Sequence, residues 1–165
     1  MSSIEEFDEG AFDRVIAINL TACFHTTKAV LPHMRKEGYG RIINIASAHG
    51  LVASANKSAY VAAKHGVMGL TKTTALETAN SGITCNAICP GWVLTPLVQQ
   101  QIEARAEKKG TSVEEEKNAL LAEKQPQLEF VTPEQLGEFA FFLTGDHARN
   151  ITGATMVADG GWTAQ

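Results

Sequence analysis

Three cysteines among 165 residues, Cys23, Cys85 and Cys89, are too few and of the wrong parity for a disulfide framework. The expected setting is therefore a reducing compartment, the cytoplasm. No apolar run approaches the ~18 residues of a membrane span. Met1 is followed by Ser-Ser-Ile-Glu-Glu, which is not the start of a signal peptide. Basic residues are in deficit, 14 against 18 acidic, for a net charge of −4. That argues against a nucleic-acid or anionic-membrane surface, which would need clustered Lys and Arg. Cys85-x-x-x-Cys89 is followed by no third or fourth ligand, so no metal site is expected and both thiols read as core. What remains, 44% hydrophobic and 19% charged residues without repeats or low-complexity segments, fits one globular domain.

Apolar residues at three- and four-residue spacing, from Phe12 through Leu20 and Phe24 to Leu31, predict a helix over Asp8 to Glu37. Pro32 should kink or restart it near Leu31. The β-branched run Arg41 to Ala46 predicts a buried strand, and a polar loop from Ser47 to Asn56 leads into a helix from Lys57 to about Asn80. Small residues along that helix, Ala59, Ala63, Gly66 and Gly69 among them, permit close packing. A second strand follows at Ile83 to Cys89. The charge-rich stretch from Leu94 to Lys124 predicts two helices interrupted at Lys109-Gly110, with Glu114 to Lys117 on a solvated face. Thr132-Pro-Glu-Gln135 is a capping box opening a helix through Phe142, and Ala154 to Ala158 is a third strand. This alternation predicts an α/β fold with a parallel sheet.

Tyr60 and Lys64 stand at i,i+4, on one helix face and one turn apart. An ammonium beside a phenol favours the phenolate, which suits proton exchange with a reacting oxygen. Ser47 closes the first strand, at the sheet end where open α/β proteins place their ligands, and Pro90-Gly-Trp-Val-Leu-Thr95 closes the next. Asn19, a poor helix former within an apolar helical stretch, requires a hydrogen bond there.

Taken together, Asn19 in Ile-Asn-Leu, Ile-Ile-Asn-Ile-Ala-Ser47, Tyr60-x-x-x-Lys64, Asn86-Ala-Ile-Cys-Pro-Gly91 with Thr95, and Ile-Thr-Gly…Asp-Gly-Gly161 resemble the short-chain dehydrogenase/reductase family, from Ile4 onward. The resemblance implies part of a Rossmann-like, doubly wound parallel sheet and an NAD-dependent oxidoreductase. Tyr60 would be the general acid/base and Lys64 its partner, also holding the nicotinamide ribose. Ser47 would orient the reacting oxygen, and Asn19 would hold a relay water. Pro90, Gly91, Val93 and Thr95 would line the nicotinamide.

A narrower similarity is to the D-3-hydroxybutyrate dehydrogenases, carried by the string from Ile45 to Tyr60, by Ile88-Cys-Pro-Gly-Trp-Val93 and by Glu123-Lys-Gln-Pro126. It implies a small hydroxy or keto acid as substrate. His49, Lys57 and Gln101 would grip the carboxylate, while Trp92 and Trp162 would wall its apolar side; Leu94 replaces an expected basic residue. It further implies a homo-oligomer, dimer or tetramer, paired through the two long helices. A complete member of the family begins with a strand, a glycine-rich turn and a helix that hold the cofactor pyrophosphate. Gly38-Tyr-Gly40 precedes a strand and does not supply that turn. The expectation is thus a single, N-terminally incomplete Rossmann-type domain with no measurable NAD binding on its own, and with its first strand short of a partner. A non-catalytic oligomerising subunit and an enzyme for another small alcohol or ketone remain open alternatives.

Overall fold

The computed structural model describes residues 2–164. Helix α1 (Glu9–Ile16) opens at Asp8, whose carboxylate accepts the Ala11 N–H, and runs through a π-helical turn (Ala17–Thr21) into α2 (Ala22–Glu37). Pro32 lies inside α2, which continues to Glu37; the expected restart near Leu31 is absent, and the interruption falls at Ala17–Thr21 instead. Gly38, at φ 64°, ends α2 in the left-handed conformation that glycine tolerates best, its N–H shared between the Met34 and Arg35 carbonyls.

Strands β1 (Gly40–Ile45), β2 (Ile83–Pro90) and β3 (Thr155–Ala158) form one parallel sheet in that order. Between them run α3 (Ser58–Thr78), α4 (Pro96–Lys109), α5 (Val113–Ala122) and α6 (Pro133–Thr144). Gly40 registers with Ile83 and Ile45 with Ile88, while Ala87 through Pro90 face Thr155 through Ala158. Strand alternation sends side chains to both faces. On one face Ala46, Ala87 and Cys89 meet Val67 and Met68 of α3, with Leu20 and Cys23 packed against them. On the other, Ile88 packs on Leu143 of α6 with Ile43 and Met156. Helices cover both faces, and β2 is buried along its whole length; β1 is buried only at alternate residues and ends on exposed Ile45, and β3 is half-buried with Val157 exposed. The core reading of Cys85 and Cys89 holds: both are fully buried, and burial raises both thiols, Cys85 to about 11.

Gly66 lets the π-helical turn approach α3, because a Cβ there would stand 2.7 Å from a Leu20 methyl. The charged run of α5 departs from expectation. Glu116 is 3% exposed and turned inward, while its neighbours Glu114 and Glu115 face solvent. Its carboxylate accepts Lys109 Nζ at 2.8 Å and Thr111 Oγ1 at 2.9 Å, with Arg105 Nε at 3.3 Å, and so ties α4 to α5. No helix among the described residues is long and apolar enough to cross a membrane.

Candidate active site

The carboxyl ends of β1 and β2 open onto a cavity of about 390 Å³, within the range of small-molecule sites. Ser47, His49, Tyr60, Lys64, Pro90, Gly91, Trp92, Val93, Thr95, Gln101 and Trp162 all line it, although they come from five separate stretches of chain. Eleven of the thirteen residues expected at the site thus converge on one space. Lys57 stands behind this wall, its Nζ 5.6 Å from the centre of the Trp92 ring. Asn19 does not line the cavity. It lies in the π-helical turn and donates to the Val15 carbonyl at 3.1 Å, which supplies the hydrogen bond its position requires.

Each polar group is held in a way that leaves capacity for a ligand. Ser47 Oγ accepts the His49 N–H at 3.2 Å, so its own hydroxyl hydrogen is available. Lys64 is buried, donates to the Ile45 carbonyl at 3.0 Å and places its ammonium 5.6 Å from the centre of the Tyr60 ring. One of its three protons is thereby used and two remain. Burial lowers the Lys64 pKa, against the raising influence of the nearby Cys23 and Cys89 thiols. Thr95 Oγ1 accepts the Val98 N–H and caps α4, which fixes its position at the cavity rim. The indole Nε1 of Trp92 is buried and has no hydrogen-bond partner among the described residues, a donor left for a ligand. This donor set, polar at one end and indole-walled at the other, fits the nicotinamide end of a dinucleotide beside a small oxygenated substrate.

His49 meets the cavity without a charge. Its ring packs edge-on to Trp162, with centroids 5.0 Å apart, and its Nε2 lies 3.0 Å from Ser54 Oγ. Burial, followed by repulsion from Lys57, Lys124 and His65, lowers its pKa from 6.5 to about 4. At neutral pH it is an uncharged hydrogen-bonding group, not a cation. Gly91 also carries a burden that its motif does not reveal: a Cβ there would stand 2.5 Å from Gln125 Oε1 and 2.9 Å from Asp159 Cα. Sequence reasoning missed Ser54, Lys124 and the buried Gln125. All three lie within the strings that carry the narrower similarity, Ser54 between Ile45 and Tyr60 and Lys124 and Gln125 within Glu123-Lys-Gln-Pro126, but no role attached to any of them there.

A family model described as enoyl-(acyl carrier protein) reductase matches residues 1–163. The D-beta-hydroxybutyrate dehydrogenases of Cupriavidus necator and Rhizobium meliloti are 61% and 56% identical to the chain over all 165 of its residues. The chain spans 64% of the length of each of these relatives. Among solved structures, a tryptophan variant of actinorhodin polyketide ketoreductase with NADPH superposes with a TM-score of 0.90. It is 36% identical, and the match covers 99% of this chain and 63% of that one.

Proposed function

We propose, from the premise that this chain belongs to the short-chain dehydrogenase/reductase family, that its cavity serves NAD-dependent oxidation of D-3-hydroxybutyrate to acetoacetate and the reverse reduction. One observation carries the reading: Ser47, Tyr60 and Lys64, far apart in sequence, face a single cavity at the carboxyl end of a parallel sheet. The dinucleotide, when bound, supplies the hydride acceptor and donor. Tyr60 Oη takes the hydroxyl proton as the carbinol C–H bond breaks and returns it to the oxygen in reduction. Lys64, tethered to the Ile45 carbonyl, keeps a positive charge beside the phenol to stabilise negative charge on its oxygen, and its two free protons would hold the nicotinamide ribose. Ser47 donates to the substrate oxygen and fixes its distance from Tyr60.

Pro90, Gly91, Val93 and Thr95 would line the nicotinamide, and Asn19, outside the cavity, would hold a water that links Lys64 to solvent. The acid's carboxylate meets Gln101, neutral His49 and the positive field of Lys57, while Trp92 and Trp162 enclose its methyl group. NAD as the cofactor, and a single Rossmann-type domain in the cytoplasm, belong to the same reading. The same reading includes a homo-oligomer, dimer or tetramer. It is supported by Ile18, Phe24 and Val30 on the first long helix and by Leu76 on α3, all of which are exposed apolar side chains.

The test follows NADH formation with D-3-hydroxybutyrate and, separately, tryptophan fluorescence during titration with the acid and with its neutral amide. The acid should perturb the emission and the amide should not. Tyr60→Phe should lower turnover by about 10²–10⁴-fold while leaving the fluorescence titration intact. Turnover of another small alcohol without any response to the hydroxy acid would replace the substrate, and no response in either assay would reject the reading.

A further inference from the structure

Gln125 lies in the connection between α5 and α6, among exposed and charged residues, yet it is only 1% exposed. Both ends of its amide are engaged. Oε1 accepts the Trp92 N–H at 2.9 Å, and Nε2 donates to the Glu129 carbonyl. A buried amide is stable only when satisfied in this way. Its stem passes between two glycines at the ends of different strands. A Cβ on Gly91 would stand 2.5 Å from Gln125 Oε1, and one on Gly160 would stand 2.6 Å from Gln125 Cγ. Two residues on, Gln127 donates its backbone N–H to the Gly160 carbonyl at 3.0 Å. One side chain therefore joins the loop after β2, which carries Trp92, to the loop after β3, which carries Trp162, and to the α5–α6 connection. Gln125 is also the partition between the catalytic cavity's Trp92 loop and a second cavity of about 400 Å³ that it lines with Phe130, Phe139 and Asp159.

We propose that Gln125 is a positioning residue that sets the stacked Trp92–Trp162 pair, and with it the apolar wall of the substrate cavity. The indole rings stand 6.1 Å apart at an interplanar angle of 29°. Asp159 fixes the Trp162 side through its bonds to the Gly161 N–H and Thr163 N–H, at 3.0 and 2.8 Å. On the Trp92 side the carbonyl accepts the Val131 N–H at 2.9 Å, and the acceptor for the Trp92 N–H is the Gln125 amide. Without it the Trp92 N–H loses its acceptor, the two glycine sockets empty, and the Val131 bond alone is left to set the backbone on that side of the pair. The consequence for substrate rests on the hydroxy-acid reading above; the consequence for the tryptophan pair does not.

The chain has two tryptophans, so tryptophan emission and the near-ultraviolet tryptophan circular dichroism report this pair alone. In Q125L, which keeps the stem but removes both amide bonds, the near-ultraviolet band should fall by at least about half and the emission should shift to the red, with the far-ultraviolet spectrum unchanged. Q125E makes the test independent of simple loss of packing. Its protonated carboxyl reproduces the amide, accepting from Trp92 and donating to Glu129, whereas the ionised form turns a lone pair on the Glu129 carbonyl. The signal should therefore be native-like at acid pH and approach that of Q125L at alkaline pH. It is read as the difference from the unsubstituted chain at each pH, because His49, Glu129 and Asp159 lie close by. In the D-3-hydroxybutyrate assay, KM should rise on the order of tenfold in Q125L with kcat little changed.

An unchanged tryptophan signal in Q125L overturns the proposal whatever the activity. If Q125L fails to fold, Q125E decides: a signal that does not follow the state of the carboxyl overturns it equally. A changed signal, with no hydroxybutyrate response even in the unsubstituted chain, supports the positioning role and rejects only the substrate reading.

Discussion

His49 is uncharged at neutral pH because its ring is enclosed by Trp162, Tyr60 and the turn after β1, with Lys57, Lys124 and His65 adding repulsion. The unfolded chain takes up a proton near pH 6.5 that the folded chain refuses until about pH 4. Between these values the unfolded state binds more protons, so stability falls as the pH drops from 6.5 to 4, by at most about 3 kcal/mol, and is flat in this respect above the window. Urea unfolding across that range should show the slope, and His49→Gln should remove this share of it. An arriving carboxylate favours the imidazolium, so binding of 3-hydroxybutyrate near pH 6 should take up protons. Calorimetry in buffers of different ionisation heat reads that uptake, and none would place the carboxylate away from His49. Ser47, Tyr60 and Lys64 were legible in the sequence because a strand end and a four-residue helical spacing fix their positions locally. The charge of His49 was not, since it depends on Trp162 and Lys124, which arrive from distant parts of the chain.

At the level of elements, legibility tracks how local the cause is. The capping box at α6 was readable because all its parts lie within four residues: Thr132 Oγ1 accepts the Gln135 N–H at 3.2 Å, and Gln135 Oε1 accepts the Thr132 N–H at 2.9 Å. Thr132→Ala should therefore cost about 1 kcal/mol in chemical denaturation, and Thr132→Ser much less. The α4–α5 pair shows the opposite case. Glu114, Glu115 and Glu116 look alike as a charged run, but helix phase puts Glu116 on the face of Leu120, four residues on, against α4. There the hydrogen bond from Lys109, more than any other influence, holds its carboxyl below the ordinary carboxylate range. A depressed folded pKa gives stability that is present above the unfolded value and lost as the pH falls through the folded one. Glu116→Gln should lower the thermal midpoint at neutral pH and speed amide exchange in α4 and α5, the difference shrinking in acid. The π-helical turn under Asn19 was equally hidden, because it belongs to the close approach of α3 at Gly66 rather than to any pattern within its five residues.

The sheet at the centre of the molecule has two outer strands among its described residues, β1 and β3, and on β1 backbone parity says which groups are left unpaired. Gly40 N–H and Ala46 N–H donate across to the Gly82 and Ile88 carbonyls of the β2 side. Alternation along a strand then turns the amides of Ile42 and Asn44 the same way, and those of Arg41, Ile43 and Ile45 toward the open edge. The sequence foretold a first strand short of a neighbour, but not which amides would be free, since that parity is set by the register with β2. Such an edge is a template for another strand, and the Ile45 side chain on it is 50% exposed. Hydrogen exchange of the chain when dilute should find Arg41, Ile43 and Ile45 fast beside slow Ile42 and Asn44, with β2, paired on both sides, slowest. On concentration the fast set should become protected and sedimentation should show association. Ile45→Lys should weaken that association by placing a charge on the edge. If all five β1 amides are slow even when dilute, the edge is covered by another strand, and association should then survive the lysine.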